Sequence, residues 1–600
     1  PHLHHGSCCG GSHQTGRNQK TFLKGVPSMS DYHPPLEDMR FVLEHVVGLE
    51  TLPEHADLGV LDGDMIASVL EPAAKLASEV LAPLNWTGDQ EACALNDGVV
   101  TTASGFKEAY TEYRDGGWNA VPFDPEFGGQ GLPWLVAFPL QEMWQGANMS
   151  FGLCPLLNQG AVEAIEHHGS DEQKQTYLEK LISGEWTGTM NLTEPQAGSD
   201  LSVIRTKAES QEDGSYKIFG QKIYITYGEH DLADNIIHLV LARLPDAPEG
   251  VKGISLFIVP KILTDGSRND VVCTGIEHKL GIHASPTCTM QFGDKDGAIG
   301  YLVGEENQGL KYMFTMMNNA RLSVGLQGVA IAERAYQHAL MYAKDREQGT
   351  SLKDKSDRVA IIDHADVKRM LMRMRAQTEA MRALTYEAAL AIDLAASGDK
   401  LAQAKVDILT PIVKACGTDI ALDVTSTGIQ IHGGMGFVEE TGAAQYYRDA
   451  RILPIYEGTN GIQAMDLAFR KTLRDGGVSV KAYIGILEEE VKGHKQLEAS
   501  LEDLKEATEW MLENARKNLD LPAASAVPYL HCFGLVVMAF MMHRSRQKAQ
   551  ALIEEGSDNK NFLRNKIITA DFFDAHFLSQ VAAYKHTVIF GADQSLAAVF

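Results

Sequence analysis

A carboxylate set inside a turn invites a chemical reading, and the chain offers one in RILPIYEGTNGIQAMDL, residues 451–467. Glu457 follows Pro454, Ile455 and Tyr456 and precedes Gly458, Thr459, Asn460 and Gly461. The apolar neighbours draw the carboxylate out of bulk water and raise its pKa, while the N–H groups of a helix starting near Thr459 lower it. Opposed influences of this kind suit a tunable base. They equally suit a carboxylate that only complements a helix dipole, and the local pattern leaves both readings open.

Other stretches carry groups able to hold a ligand. MNLTEPQAGSD (190–200) sets the hydroxyls of Thr193 and Ser199 around Gly198, a residue that lets backbone approach a bound molecule closely. KIYITYGEH (222–230) carries Tyr224 and Thr226, and Tyr224 alone reads equally well as a core residue of an alternating strand. IQIHGGMGF (429–437) pairs Gly433 and Gly434 behind Gln430, which fits either a ligand loop or a plain helix C-cap; His432 reads as packing or solvent-facing. MMNNARLSVG (316–325) and KDREQG (344–349) supply Arg321 and Arg346, fixed cations for phosphate or an acidic neighbour. A buried ion pair for Arg321 and a surface position for Arg346 are the plainer alternatives.

The elements that must position these groups follow from periodicity. Residues 60–185 are mostly helical, with apolar spacing of three and four over Asp64–Leu81 and Glu163–Leu181 and a Gly/Pro loop at 122–134. Near 186 the texture changes to short β-branched and aromatic runs at 215–227, 236–244, 254–260 and 289–294. Helix returns after 303–310 over Tyr312–Glu347, Asp366–Ala396, Leu401–Ser426 and Ile462–Leu473, which reads as a bundle. A Gly-containing break at 474–480 precedes further helical segments, Ile484–Leu519 and Ile568–Phe600. The expected organisation is an expression leader at 1–28, a helical domain at 29–185, a β domain at 186–305, a helical bundle at 306–473 and an additional helical domain at 474–600.

The chain has 600 residues and a formal net charge of -26. That balance argues against nucleic acid or an anionic membrane as the main partner. The longest strongly apolar run, Cys532–Met542, is shorter than the roughly 18–20 residues of a bilayer span, so the expectation is a cytoplasmic protein with no membrane span. The eight cysteines show no C-x-x-C spacing and signal neither a metal site nor a disulfide framework.

MNLTEPQAGSD, KIYITYGEH, IQIHGGMGF and IYEGT occur in an order that resembles the acyl-CoA dehydrogenase family, over about residues 122–469. The long lead and C-terminal extension are similar to those of its bacterial subgroup containing 3-methylmercaptopropionyl-CoA dehydrogenase. The resemblance implies an α+β multi-domain fold: an N-terminal helical domain, a β-barrel-like middle domain and a C-terminal four-helix bundle, here with an extra helical domain. It implies FAD as cofactor and α,β-dehydrogenation of an acyl-CoA thioester to a trans-2-enoyl-CoA, with hydride passing to flavin N5. Glu457 matches the base that takes the α-proton, and its own N–H with a ribityl hydroxyl matches the donors to the thioester oxygen. Met190, Leu192, Thr193, Gly198, Ser199, Tyr224, Thr226, Gln430, Gly433, Gly434, Gly458 and Thr459 match flavin-binding positions. Arg346 matches an arginine reaching the FAD of a neighbouring subunit. Ser199, Asn318 and Arg321 match positions near the CoA and acyl portion. Tyr224 replaces a frequent tryptophan, Asn318 a frequent acid, and Asn460-Gly461 a frequent Ser-Gln. The implied partners are acyl-CoA, an electron-transfer flavoprotein and a second copy in a homodimer; an acyl-CoA oxidase using oxygen is the alternative.

Overall fold

The computed structural model describes residues 31–600 apart from residue 356; the leader expected over 1–28 lies outside the described residues. Helices Gly63–Leu76, Trp134–Ala147, Met149–His168 and Asp171–Ser183 build the first part. Asp62 starts one of them by accepting from the Met65 N–H at 2.9 Å. The periodic run over 163–181 is two helices, because Ser170 and Gln173 exchange a reciprocal capping box directly after Gly169.

An eight-stranded sheet follows. Its path runs Ala298–Leu302, Ile254–Pro260, Asn235–Arg243, Lys207–Ser210, Tyr216–Thr226, Thr287–Phe292, Val271–Ile276, and Trp186–Asn191 pairs in parallel with Asn235–Arg243. Ala298–Leu302 also pairs with Tyr216–Thr226, so the sheet curls back on itself around an apolar centre that includes Ile218, Phe257, Val259 and Phe292. The ladder between Tyr216–Thr226 and Thr287–Phe292 slips between Lys222 and Ile225, a bulge that re-aims the residues within it.

The bundle is led by helices Gly309–Asp345, Ala365–Ala396 and Lys400–His432. The first and third touch backbone to backbone. A Cβ on Gly328 would lie 2.3 Å from Gly417 O, and one on Gly417 2.7 Å from Gly325 O, so this crossing requires glycine on both helices. The sequence segments it holds together are those carrying Arg321 and Lys414.

Helices Val478–Glu490, Lys495–Ala515, Asp520–Glu554, Lys560–Phe573 and Gln580–Phe590 form the appended part. The expected 484–519 segment divides at Gly493, whose φ is +94°. Asp520–Glu554 corrects the reading of the 532–542 run: it is one helix, long and apolar enough by length and composition to cross a membrane, with 78% of its apolar window buried inside the protein. Pro528 and His531 interrupt the pattern in sequence, while the fold packs Tyr529, Leu530 and Cys532–His543 as core and leaves Gln547, Lys548 and Gln550 exposed. Its Phe533 and Val537 share one apolar cluster with Leu135, Met381 and Leu409. Polar groups also bridge the parts. Arg382, fully buried, pairs with Asp38 at 2.7 Å and with Glu142 and Glu333 at 2.8 Å, and Lys566 reaches Asp38 and Glu379 at 2.6 Å each.

Candidate active site

Glu457 stands three residues before the Asn460–Met465 helix, whose N-cap is Thr459, accepting from the Ile462 N–H at 3.2 Å. The carboxylate-bearing residue has φ +56° and the following Gly458 φ +86°. A non-glycine residue in the left-handed region costs about 1–2 kcal/mol and persists where the surroundings over-determine it. Here they do: Tyr456 Oη hydrogen-bonds to Gln327, Gln327 Nε2 donates to Gln145 Oε1 at 3.0 Å, and the Asn460 N–H donates to Pro454 O at 3.0 Å. Among the described residues no hydrogen bond engages the Glu457 N–H. Burial raises the Glu457 pKa, and the charges of Arg321 and Lys414 pull it back. Both readings of the sequence are thereby partly met: the carboxylate lies near a helix start, and it is also withdrawn from water within range of two cationic charges.

Arg321 is only 5% exposed. It leans on the same loop, since a Cβ on Gly458 would stand 3.6 Å from its Nη2, and it faces Asp466 at 3.8 Å. Its surroundings are thus the base loop and an internal carboxylate. Asn318 lies half-buried one turn away.

The 190–200 stretch is pinned by a pair that the sequence reading passed over. Glu194 accepts from Lys222 Nζ at 2.8 Å, Gln196 Nε2 and the Arg205 N–H at 2.6 Å, the Thr206 N–H at 3.1 Å and Thr206 Oγ1 at 2.5 Å. Side-chain exposure is 0% for Lys222 and 3% for Glu194. Lys222 Nζ also donates to Leu192 O at 3.0 Å, and the Ile223 N–H to Thr193 O at 2.9 Å, so MNLTEPQAGSD and KIYITYGEH form one unit. The signal was present in the quoted motifs, but nothing local pairs residues 28 positions apart.

Ile223 and Tyr224 fall in the bulge. Tyr224 has φ +58° and is 60% exposed, which overturns the alternative of an alternating core residue. The bulge turns its ring outward. Thr226 pairs in register with Thr287, and Met190 is buried against the sheet at 7% exposure. Gly198 and Ser199 are exposed, and a Cβ on Gly198 would meet nothing nearer than 4.0 Å.

Gln430 lies in the last turn of Lys400–His432, which runs six residues beyond the expected end. Gly433 is its C-cap at φ +61°, and neither it nor Gly434 has an atom within 4 Å of an added Cβ. The C-cap reading therefore holds, on an open face that a ligand can approach. His432 is buried, with Nδ1 bonded to Gly428 O at 2.7 Å and its ring against Tyr342. Arg346 is the C-cap residue of Gly309–Asp345, exposed at the surface, with its Nη2 donating to Gln348 Oε1 at 3.4 Å.

Family comparisons cover nearly the whole chain. "Acyl-CoA dehydrogenase, N-terminal domain" matches residues 73–185, "middle domain" 189–295, "C-terminal domain" 307–471, and "Acetyl-CoA dehydrogenase C-terminal like" 480–598. The 3-methylmercaptopropionyl-CoA dehydrogenase of Ruegeria pomeroyi is 47% identical over 94% of this chain and 99% of its own. A broad-specificity linear acyl-CoA dehydrogenase of Mycobacterium tuberculosis is 34% identical over 93% and 98%. A solved acyl-CoA dehydrogenase of Bacillus anthracis, complexed with FAD, shares the fold at TM-score 0.72 and 22% identity, covering 92% of each chain. With four domain matches in chain order and near-full-length similarity to an acyl-CoA dehydrogenase, this chain belongs to the acyl-CoA dehydrogenase family.

Proposed function

We propose that the protein dehydrogenates an acyl-CoA thioester at the α,β bond with Glu457 as the base and FAD as the resident cofactor. The observation that carries the reading is the state of Glu457: a carboxylate on strained backbone, its pKa raised by burial and pulled back by the charges of buried Arg321 and Lys414, whose own N–H has no acceptor among the described residues. Burial brings such a carboxylate toward the acidity of an activated α-carbon, and the cations keep it ionised and able to accept. The α-proton passes to a Glu457 carboxylate oxygen, while the Glu457 N–H serves as donor to the thioester oxygen as negative charge develops there.

The chain's own features fit a flavin. The bulge that exposes Tyr224, the pinned 190–206 loop and the uncrowded glycines at 198, 433 and 434 leave an aromatic wall, backbone and hydroxyls for a large planar group with a diphosphate tail. When bound, FAD supplies the hydride acceptor. Leu192, Thr193, Ser199, Thr226, Gln430, Gly458 and Thr459 would hold it, and exposed Arg346 is free to reach a second copy's cofactor in a cytoplasmic homodimer. Electrons then leave to an electron-transfer flavoprotein.

Anaerobic mixing of the yellow protein with a series of acyl-CoAs tests the reading. Bleaching of the flavin in wild type and its loss in Glu457→Gln with cofactor retained is the expected result. Bleaching that persists in Glu457→Gln removes it as the base, and rapid reoxidation on admitting oxygen identifies an oxidase instead.

A further inference from the structure

Lys414 is a fully buried lysine on the Lys400–His432 helix, at the glycine crossing that brings the Arg321 helix alongside. Its Nζ donates to Asn460 Oδ1 at 3.0 Å. Asn460 spends its remaining capacity on the same helix: Nδ2 donates to Asp419 Oδ1 at 2.8 Å, Thr418 Oγ1 at 2.9 Å and Ala415 O at 3.2 Å. The residue three places after Glu457 is therefore tied to the lysine that faces Glu457.

Burying an ammonium is costly unless its charge is used. The groups facing Lys414 are Glu457 from the base loop and Asp419 from its own helix, both favouring the charge, and Arg321 from the neighbouring helix, opposing it. Glu457 in turn faces Arg321 and Lys414. Asp419 faces His531 at 3.5 Å, on the appended Asp520–Glu554 helix, and the charge of Arg451. Among the described residues the hydrogen bond of Lys414 Nζ goes to Asn460 alone.

We propose that Lys414 is a positioning residue for Glu457: hydrogen-bonded to Asn460 on the same loop, it fixes a buried ammonium within electrostatic range of the carboxylate, holding the base ionised and the loop in its strained conformation. The inference rests on Glu457 being the base. Desolvation lowers Lys414 to about 7, so its ammonium is fully present on the acid side of neutrality, where Glu457 most needs a cation to stay deprotonated.

The experiment follows the rate of anaerobic flavin bleaching by butyryl-CoA against pH, using full-length protein with bound flavin. Wild type gives an acid limb set by Glu457. Lys414→Met moves that limb up by about one unit and slows bleaching about tenfold at the foot of the limb, with the apparent affinity for butyryl-CoA little changed. Lys414→Arg, which keeps the charge, restores the limb. Asn460→Ala removes the oxygen that stabilises the ammonium and shifts the limb the same way by less. A folded Lys414→Met whose limb coincides with wild type overturns the proposal, as does Lys414→Arg behaving like Lys414→Met, which would assign the effect to packing. Should Lys414→Met not fold, an unmoved limb in Asn460→Ala overturns it. Wild type that no acyl-CoA bleaches, or Glu457→Gln that bleaches normally, refutes the underlying base assignment, and this proposal falls with it.

Discussion

Replacing Lys222 by Met tests whether the buried ion pair holds the 190–206 loop. Burial alone would raise Glu194, yet Lys222, Thr206 and the Arg205 N–H bring it from its ordinary 4.5 down to about 2. A depression of that size corresponds to about 3 kcal/mol of stability. Because the folded pKa is the lower one, this stability is present above about 4.5 and is lost as pH falls toward 2. Lys222 moves the other way: desolvation takes it from 10.5 to about 8, more than one carboxylate returns. The pair is therefore anchored from the Glu194 side, where donors other than Lys222 survive the substitution. Breaking a buried pair costs about 3–5 kcal/mol, and those surviving donors reduce the loss to about 2–3, or roughly 30- to 150-fold in local opening. Hydrogen exchange on peptides spanning 190–206, at neutral pH in the full-length protein, reads this directly. Protection within about threefold of wild type would refute the reasoning. Glu194→Gln strands the ammonium instead and removes the charge that raises the Lys222 pKa, so Lys222 falls below its wild-type value of about 8 and the deficit shrinks as pH rises toward 8 and Lys222 deprotonates.

Thr459→Ala removes the cap on Ile462 and costs about 1 kcal/mol, seen as roughly fivefold faster exchange over 457–465 with slower flavin bleaching. Lys566→Met removes the cation that Asp38 and Glu379 share, leaves them to Arg382 and Arg375, and costs about 2–3 kcal/mol, read by calorimetry as a lower first unfolding transition that Lys566→Arg partly restores.

Much of the fold was legible because helix and strand periods are local. The strands at 216–226, 235–243, 254–260 and 287–292 announce themselves by β-branched and aromatic runs, whereas Trp186–Asn191 and Lys207–Ser210 carry Thr, Gly and charge and gain their identity only from the partners they pair with. Glu457 was legible because its neighbours bracket it so sharply. Tyr224 was not, since its outward turn depends on a bulge created by register with a strand some 65 residues later. Lys414 looks like any charged position of a long helix, and only the glycine crossing and the return of Asn460 reveal that it points inward. Lys222 and Glu194 lay inside quoted stretches, but their meeting is a property of the sheet.

The Asp38 carboxylate is shared by Arg382 and Lys566, so residues near the beginning, the middle and the end of the chain meet at one point. During synthesis, Asp38 and Glu379 emerge long before the lysine that neutralises them. The helices carrying those carboxylates can form early and pair with Arg382 and Arg375, but the site stays one cation short until Lys566 is made. Completion is thus sensed chemically: a product that stops before Lys566 keeps an interior one cation short, opens more readily and is left to proteases. The same arrangement makes the final domain an inseparable part of the fold, because its Lys566 is held by carboxylates on two other helices.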